Sequence, residues 1–100
     1  MPLFTNGFEE LKLGEKFDKH VTNQNEFPHI TTEDEYLDAA DSFCGGAMDA
    51  NTEEHIRSYD SARIRYNRVT NEFGIVGADG YIKTYYKPSA GERYFRRQCK

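Results

Sequence analysis

Residues 63–88, RIRYNRVTNEFGIVGADGYIKTYYKP, decide the fold of this chain. The runs RIRYNR, EFGIV and YIKTYYK are separated by the segment VTN and by the Asp-Gly pair of GADG. An Asp-Gly pair between apolar runs is a strong hairpin signal, because glycine readily adopts the positive φ that tight hairpin turns require. The stretch therefore predicts a three-stranded antiparallel meander. Its outer strands carry cationic side chains interleaved with tyrosines, a combination that suits a partner bearing phosphates and stacking bases.

The segments around the meander predict three helices and one more strand. Residues 8–20 have apolar residues spaced for a helix that is interrupted near Gly14. Thr31 and Thr32 precede three acidic residues, which predicts a capped helix start, and the Gly45-Gly46 pair ends that helix.

The remaining expected elements are residues 55–59 as a first strand, residues 91–100 as a short amphipathic helix, and residues 1–8 as an arm or linker. Helices that are segregated from an antiparallel sheet define an α+β domain. We therefore expect one domain of 100 residues, with N-terminal helices packed on a four-stranded antiparallel sheet.

Strand alternation divides the meander into two sets of side chains. The set expected to face the helices is Ile64, Tyr66, Phe73, Ile75, Ile82, Thr84 and Tyr86. The set expected to face the other way, or to line the rim, is Arg63, Arg65, Lys83, Tyr85 and Lys87.

The net charge of −4 conceals two halves of opposite sign. Residues 1–54 contain 13 acidic and 3 basic residues, a net charge of −10, whereas residues 55–100 contain 4 acidic and 10 basic residues, a net charge of +6. Two interpretations are equally open on charge alone: the halves attract each other within one fold, or the basic half binds an anionic ligand.

The composition and motifs argue against several classes of protein. No apolar run is long enough to cross a membrane, and the N-terminus lacks the pattern of a signal peptide. Cys44 and Cys99 are interpreted as ordinary thiols. No phosphate-binding loop, nucleophile elbow or metal-ligand spacing is present, so we expect no metal and no cofactor.

The residue types that remain suffice for RNA cleavage without a metal. In that reaction the ribose 2′-hydroxyl attacks the adjacent phosphate, an imidazole serves as base or acid, and fixed cations stabilise the developing charge. Each candidate also has a structural interpretation. His20 ends a helix, where an imidazolium favours the helix dipole, Tyr66 and Tyr86 suit the core, and Glu26 suits the surface.

A set of motifs resembles one known family. The motifs are KH–x5–EF from Lys19, TTEDEYLDAADSF from Thr31, the string RYNRVTNEFGIVGADGYIKTYYKP from Arg65, and a closing RYF. Together they resemble the C-terminal toxin domains of bacterial polymorphic and contact-dependent inhibition (CdiA-like) systems, in the ribonuclease superfamily of barnase, EndoU, colicin tRNases and RelE. The likeness covers about residues 16–98.

The resemblance implies helices packed on a twisted antiparallel sheet and a metal-independent ribonuclease that often acts on tRNA and is neutralised by a cognate immunity protein. It implies catalytic roles for His20, Arg65 and Thr84 and, more weakly, for Tyr86. In the predicted strands Arg65 and Thr84 alternate to opposite faces, so either a bulge intervenes or one of the two is not catalytic.

We therefore expect a tRNA-cleaving ribonuclease toxin, with an immunity protein and no membrane anchor. We expect it to be delivered at the cell surface or by secretion, as part of a larger effector, and to act in the cytoplasm of the target cell. The alternative is a non-catalytic module that binds a protein or a nucleic acid. The expected substrate-binding residues are Lys19, Arg63, Lys83 and Lys87.

Overall fold

The computed structural model describes residues 4–9, 12–23 and 27–99, with the side chains of residues 22 and 23 left out of the description. The described elements are helix α1 (Lys12–Phe17), a π-helical segment (Asp18–Asn23), helix α2 (Glu33–Gly45) and helix α3 (Glu92–Gln98), with strands β1 (Thr52–Ile56), β2 (Arg63–Asn67), β3 (Phe73–Val76) and β4 (Ile82–Tyr86). The strands form one antiparallel sheet in the order β1-β2-β3-β4. The predicted α+β class and the meander are confirmed.

Helix α2 begins and ends where the sequence predicts. The Thr32 hydroxyl accepts a hydrogen bond from the backbone N–H of Glu35, and the Glu35 carboxylate accepts one from the backbone N–H of Thr32. This capping box satisfies donors that the first helical turn leaves unpaired. The helix ends at Gly45, with Gly46 as its C-cap.

The first helix differs from the prediction. Gly14 lies inside α1 and does not interrupt it. The hydrogen-bond pattern changes after Phe17, where the wider π-helical segment begins and carries His20. Segments of π-helix are rare and occur frequently at functional sites.

The first strand also differs from the prediction, since β1 spans Thr52–Ile56 and the expected strand covered residues 55–59. A tight turn occupies the residues that follow. The Arg57 guanidinium donates to both carboxylate oxygens of Asp60, and the backbone N–H of Arg57 donates to the carbonyl of Ala62. Residues 57–59 therefore belong to the turn that joins β1 to β2.

Both faces of the sheet are covered, whereas the sequence predicted helices on one face. Helix α2 packs on one face, where Tyr36, Tyr85 and Cys44 belong to a core with residues of the N-terminal segments. Helix α3 packs on the other face through Phe95, which joins the second core of Ala62, Ile64, Tyr66, Phe73 and Ile75. Tyr85 and Arg65, which were expected to face outward, are therefore buried on the α2 face, at 1% and 6% exposed.

A β-bulge in β4 explains why one predicted core set is divided. Ile75 pairs with Thr84, but Val76 pairs with Ile82, so Lys83 is the extra residue on β4. The extra residue reverses the alternation at this point. Ile82 joins the core under α2, while Tyr86 packs against the core under α3, although the simple alternation placed them together.

The described part of the N-terminal arm is docked on the domain. The Asp41 carboxylate accepts hydrogen bonds from the backbone N–H groups of Phe4 and Thr5, both 2.8 Å long. Phe8 forms an isolated parallel bridge with Ile82, so the arm covers part of the outer edge of β4.

The packing of α2 on the sheet gives a stability prediction at Gly74. A Cβ atom at this position would overlap with Cys44 Sγ and approach Phe43 Cδ2 to 3.3 Å. We expect Gly74→Ala to lower the free energy of unfolding by about 2 kcal/mol, the usual cost of overpacking a core. Urea denaturation at equilibrium measures the loss.

The double variant Gly74→Ala/Cys44→Ala is the control for this prediction, since it removes the overlapping sulfur atom. It should be more stable than the sum of the two single changes predicts, because the residues are in direct contact. Additive effects would show that the contact with Cys44 does not limit the space at position 74.

Candidate nucleic-acid site at the end of strand β4

A basic cavity lies between the N-terminal helical segment and the C-terminal end of β4. It has a volume of about 520 Å³. We call it the basic cavity, and the residues that line it are Lys16, Lys19, His20, Thr84, Tyr86, Lys87, Pro88, Ser89 and Tyr94. Within residues 4–9, 12–23 and 27–99, no Asp or Glu belongs to this lining.

The position of His20 is fixed by aromatic packing. Its ring is stacked on the Tyr86 ring, with the centroids 4.8 Å apart and the planes 13° from parallel. Tyr86 in turn makes edge contacts with Phe73 and Tyr94, at centroid distances of 5.6 and 5.7 Å. His20 is 3% exposed, so its imidazole is held against a rigid aromatic cluster while it lines the cavity.

Lysines supply the positive charge of the basic cavity. Burial lowers the pKa of Lys16, and the neighbouring charges of Lys19 and Lys12 lower it further, against the opposing effect of Glu15. The charged form of Lys16 is therefore less favourable than that of an isolated lysine, and a bound anion would oppose this effect. Lys87 lines the basic cavity just after the end of β4, and its ammonium lies 5.1 Å from the centroid of the Phe27 ring.

Hydroxyl groups complete the basic cavity. Thr84 and Tyr86 project from β4, while Ser89 and Tyr94 come from the segment that leads into α3 and from α3 itself. Hydroxyls and ammonium groups together form a set of donors for phosphate oxygens, and an imidazole beside them can transfer a proton.

Four residues that line the basic cavity were not among the predicted site residues: Lys16, Pro88, Ser89 and Tyr94. For Lys16 a signal was present, because Lys16 and Lys19 are three residues apart on the helical segment that carries His20, and such residues share a face. For Ser89 and Tyr94 the sequence held no comparable signal, since their position depends on how the chain turns after Pro88.

The structure brings together five of the eight predicted site residues and separates the other three. His20, Thr84, Tyr86, Lys19 and Lys87 line the basic cavity, and Arg65, Arg63 and Lys83 do not. Arg65 pairs with Gly74, which pairs with Tyr85, so Arg65 projects to the face opposite Thr84. The bulge in β4 does not change this relation, because it lies before Thr84.

Arg65 is engaged under the C-terminal end of α2. Its Nη1 donates to the carbonyl oxygens of Phe43 and Gly46, at 3.1 and 2.8 Å, and its Nη2 lies 3.3 Å from Glu54 Oε2. Carbonyl groups at the end of a helix lack partners within the helix, so the guanidinium compensates them. This arrangement gives Arg65 a structural role in joining α2 to β2.

Arg63 and Lys83 form ion pairs with acidic residues. Arg63 Nε lies 3.0 Å from Glu54, and Lys83 Nζ lies 2.7 Å from Glu9 and 2.9 Å from Asp79. Two of these ion pairs, Arg63–Glu54 and Lys83–Glu9, join a basic residue of the second half of the chain to an acidic residue of the first half. The interpretation that the halves attract each other within one fold holds for these residues, while the lysines of the basic cavity keep the second interpretation open.

Comparison with protein-family models and with curated protein sequences finds no match to this chain. In the described residues no helix is long and apolar enough to span a membrane, and no cluster of three or more His, Cys, Asp or Glu side chains is placed to hold a metal. Glu26, which was expected to be a surface carboxylate, lies outside the described residues.

The role of Arg65 gives a prediction about stability. Arg65→Met removes the hydrogen bonds to two carbonyl groups and the ion pair with Glu54, so we expect the free energy of unfolding to fall by about 2–3 kcal/mol. Chemical denaturation measures the change. Arg68→Met is the matched control, because Arg68 is exposed on the neighbouring turn, and it should change stability by less than about 0.5 kcal/mol.

The basic cavity gives a prediction about anion binding. Inorganic phosphate at several times its dissociation constant should raise the melting temperature by about 4 °C, the effect of roughly 1 kcal/mol of linked stabilisation in a domain of this size. Lys16→Gln should reduce that rise by about half or more, since it removes one of the cations that line the cavity. Differential scanning calorimetry, with chloride at equal ionic strength as the reference, measures both.

Lys12→Gln is the matched control for the anion experiment. Lys12 lies on the same helix, 3.5 Å from Glu15, and it does not line the basic cavity. Because Lys12 acts on Lys16 only through its charge, Lys12→Gln should change the response to phosphate much less than Lys16→Gln does. An equal loss of response in the Lys12 and Lys16 variants would place phosphate elsewhere on the protein.

Proposed function

We propose that this protein is a metal-independent ribonuclease toxin domain whose substrate is RNA, with tRNA as the expected target. The observation that carries the proposal is the basic cavity, where an imidazole, three lysines and several hydroxyl groups converge without a carboxylate among the described lining residues. The motif resemblance supports the same activity, and the confirmed α+β fold is the architecture that it implies.

The proposed reaction is a transesterification within the RNA. The ribose 2′-oxygen bonds to the adjacent phosphorus as it loses its proton, and the bond from phosphorus to the 5′-oxygen breaks as that oxygen gains a proton. His20 serves in one of these proton transfers. Lys16, Lys19 and Lys87 stabilise the negative charge that grows on the non-bridging oxygens, and the Thr84 hydroxyl donates a hydrogen bond to the phosphate.

Within this proposal the catalytic role moves away from Arg65. The motif resemblance implies that role, but Arg65 and Thr84 project to opposite faces, and the guanidinium is already engaged with α2 and Glu54. Lys16 and Lys19 supply the cationic charge that was expected from Arg65. Tyr86 acts by positioning His20, since the two rings are stacked.

The proposed partner in the producing cell is an immunity protein with an acidic surface. A cavity lined by lysines attracts acidic side chains as it attracts phosphate, with an association rate that decreases as salt increases. Bound over the basic cavity, such a protein would exclude RNA. We also propose that the domain is delivered as part of a larger effector and acts in the cytoplasm of the target cell.

The alternative is a module that binds RNA or a protein without cleaving it. The burial of His20 favours this alternative, because a ring that is 3% exposed has little freedom to approach a 2′-hydroxyl. Such a module would bind tRNA through the same lysines and leave it intact.

The proposed reaction predicts a large effect of His20→Ala. The purified domain should cleave total tRNA in EDTA and leave 2′,3′-cyclic phosphate and 5′-hydroxyl ends, and the variant should cleave about 10²- to 10⁴-fold more slowly, the usual loss when a general acid or base is removed. Gel electrophoresis and sequencing of the product ends measure both. His55→Ala is the matched control, because His55 lies on β1 outside the basic cavity, and it should retain activity.

Three results would contradict the proposal. Intact tRNA after incubation with the folded domain would favour the binding module. Activity that EDTA abolishes and a divalent cation restores would indicate a metal-dependent nuclease. A folded His20→Ala variant with undiminished cleavage would remove His20 from the reaction. In bacteria, expression of the unmodified domain without its partner should stop growth, and expression of His20→Ala should not.

A further inference from the structure

A second cavity of about 510 Å³ lies on the opposite face of the sheet, between α2 and the turn that joins β2 to β3. We call it the carboxylate cavity, because Asp49 and Glu72 are among the residues that line it. Lys87 lines both this cavity and the basic cavity, so the two meet at the end of β4. Apart from Lys87, no residue that lines the carboxylate cavity has a role in the proposed reaction.

The apolar wall of the carboxylate cavity is aromatic and rigid. Phe27, Phe43 and Tyr85 line it. The Phe27 and Tyr85 rings are stacked with centroids 4.9 Å apart, and Phe43 packs against Tyr85 at 5.7 Å. Phe27 and Tyr85 are each 1% exposed and support the wall from behind, while the half-buried Phe43 ring can pack against a planar aromatic ligand. The volume lies within the range of small-molecule sites.

The polar side of the carboxylate cavity offers acceptors in fixed positions. The Tyr85 hydroxyl donates to Glu72 Oε2 and the Thr70 hydroxyl donates to Glu72 Oε1 at 2.7 Å. A carboxylate has about four acceptor positions, so these two hydrogen bonds leave capacity for a ligand. Burial and the neighbouring Glu72 raise the pKa of Tyr85, which keeps its hydroxyl protonated as a donor.

Hydrogen bonds also hold the Asp49 carboxylate in a fixed orientation. Its Oδ1 accepts hydrogen bonds from the backbone N–H of Asn51 at 2.8 Å, from the Thr52 hydroxyl at 3.0 Å and from Asn67 Nδ2 at 3.3 Å. These donors hold the pKa of Asp49 below its usual value, so it is ionised at neutral pH. Among the described residues, the one hydrogen bond to its Oδ2 is a long one of 3.5 Å, donated by Asn67 Nδ2.

The two cavities therefore differ in the ligand groups they accept. Lysines and hydroxyls suit a phosphate in the basic cavity. Lys87 and His29 also line the carboxylate cavity, but Asp49 and Glu72 repel a phosphate from the part that they line. An uncharged, planar ligand with hydrogen-bond donors at its edge fits the carboxylate cavity. The base of a nucleotide has these properties, and it is linked to a phosphate through a single sugar.

We propose, on the basis of the proposed function, that the carboxylate cavity binds the base of a nucleotide next to the phosphate held in the basic cavity. Glu72 and Asp49 accept hydrogen bonds from the exocyclic amino group of adenine, cytosine or guanine. Uracil is disfavoured, because it presents a carbonyl oxygen on each side of its single edge N–H, and these oxygens would face the carboxylates. Lys87 contacts the backbone between the base and the phosphate.

Deoxydinucleotides test this site apart from the reaction. They carry one phosphate and lack the 2′-hydroxyl, so they can bind and cannot be cleaved. The probes are dUpdU and its six relatives in which dA, dC or dG replaces either nucleoside. Of the two dinucleotides that carry a given base, one places that base in the carboxylate cavity. That dinucleotide should bind about fivefold or more tightly than dUpdU when the base is adenine, cytosine or guanine, because one good base contact contributes about 1–3 kcal/mol. NMR titration measures the affinities. The amide signals of Asn67 and Thr70 should shift.

Glu72→Gln should remove most of the preference and bring the affinities to within about twofold of one another, since the amide offers donors as well as an acceptor. Asp38→Asn is the matched control for the loss of one negative charge, because Asp38 is exposed on α2 and does not line the cavity, and it should keep the preference. If Glu72→Gln does not fold, Asp49→Asn provides the same test.

The outcomes separate this inference from the proposed function. If the domain cleaves tRNA but binds dUpdU as tightly as all six relatives, the base site is overturned and the proposed reaction stands. A base preference that depends on Glu72, in a domain that leaves tRNA intact, would overturn the proposed reaction and support the base site. Equal affinities in the unmodified protein, or a preference that Glu72→Gln and Asp49→Asn both leave unchanged, would overturn the inference.

Discussion

The alternation of side chains along β4 is the constraint on which the arrangement of this protein depends. Thr84 and Tyr86 project to the side of α3, and Tyr85 projects to the side of α2. Each set is fixed by a separate core, since Tyr86 packs against Phe73 and Tyr94, and Tyr85 against Phe27 and Phe43. A slip of one residue would exchange the two sets and dismantle both cores.

Packing and polar chemistry are combined in the same residues at this end of the sheet. His20 lies on Tyr86, so the ring that joins the core under α3 also orients the imidazole. On the other face the Tyr85 hydroxyl donates to Glu72, and the buried ring of Tyr85 supports the wall of the carboxylate cavity. The two cavities are thus built on one rigid strand, which is the requirement for holding functional groups in defined positions.

Several basic side chains of the sheet form ion pairs, and lysines come together at the basic cavity. Glu54 compensates Arg63 and Arg65, and Glu9 with Asp79 compensates Lys83. These pairs engage three of the ten basic residues in residues 55–100. At the basic cavity burial and the repulsion from Lys19 and Lys12 lower the pKa of Lys16, which is the opposite of the effect that an ion pair would have.

The sequence by itself determined the meander, the capped helix α2 and the short helix α3, because turn residues, caps and periodicity are local signals. It also indicated His20, Thr84 and Lys87, which do lie together. Tertiary structure decided the rest. The bulge at Lys83, the burial of Arg65 under α2 and the position of Tyr94 in the basic cavity depend on contacts between distant segments, which no local pattern encodes.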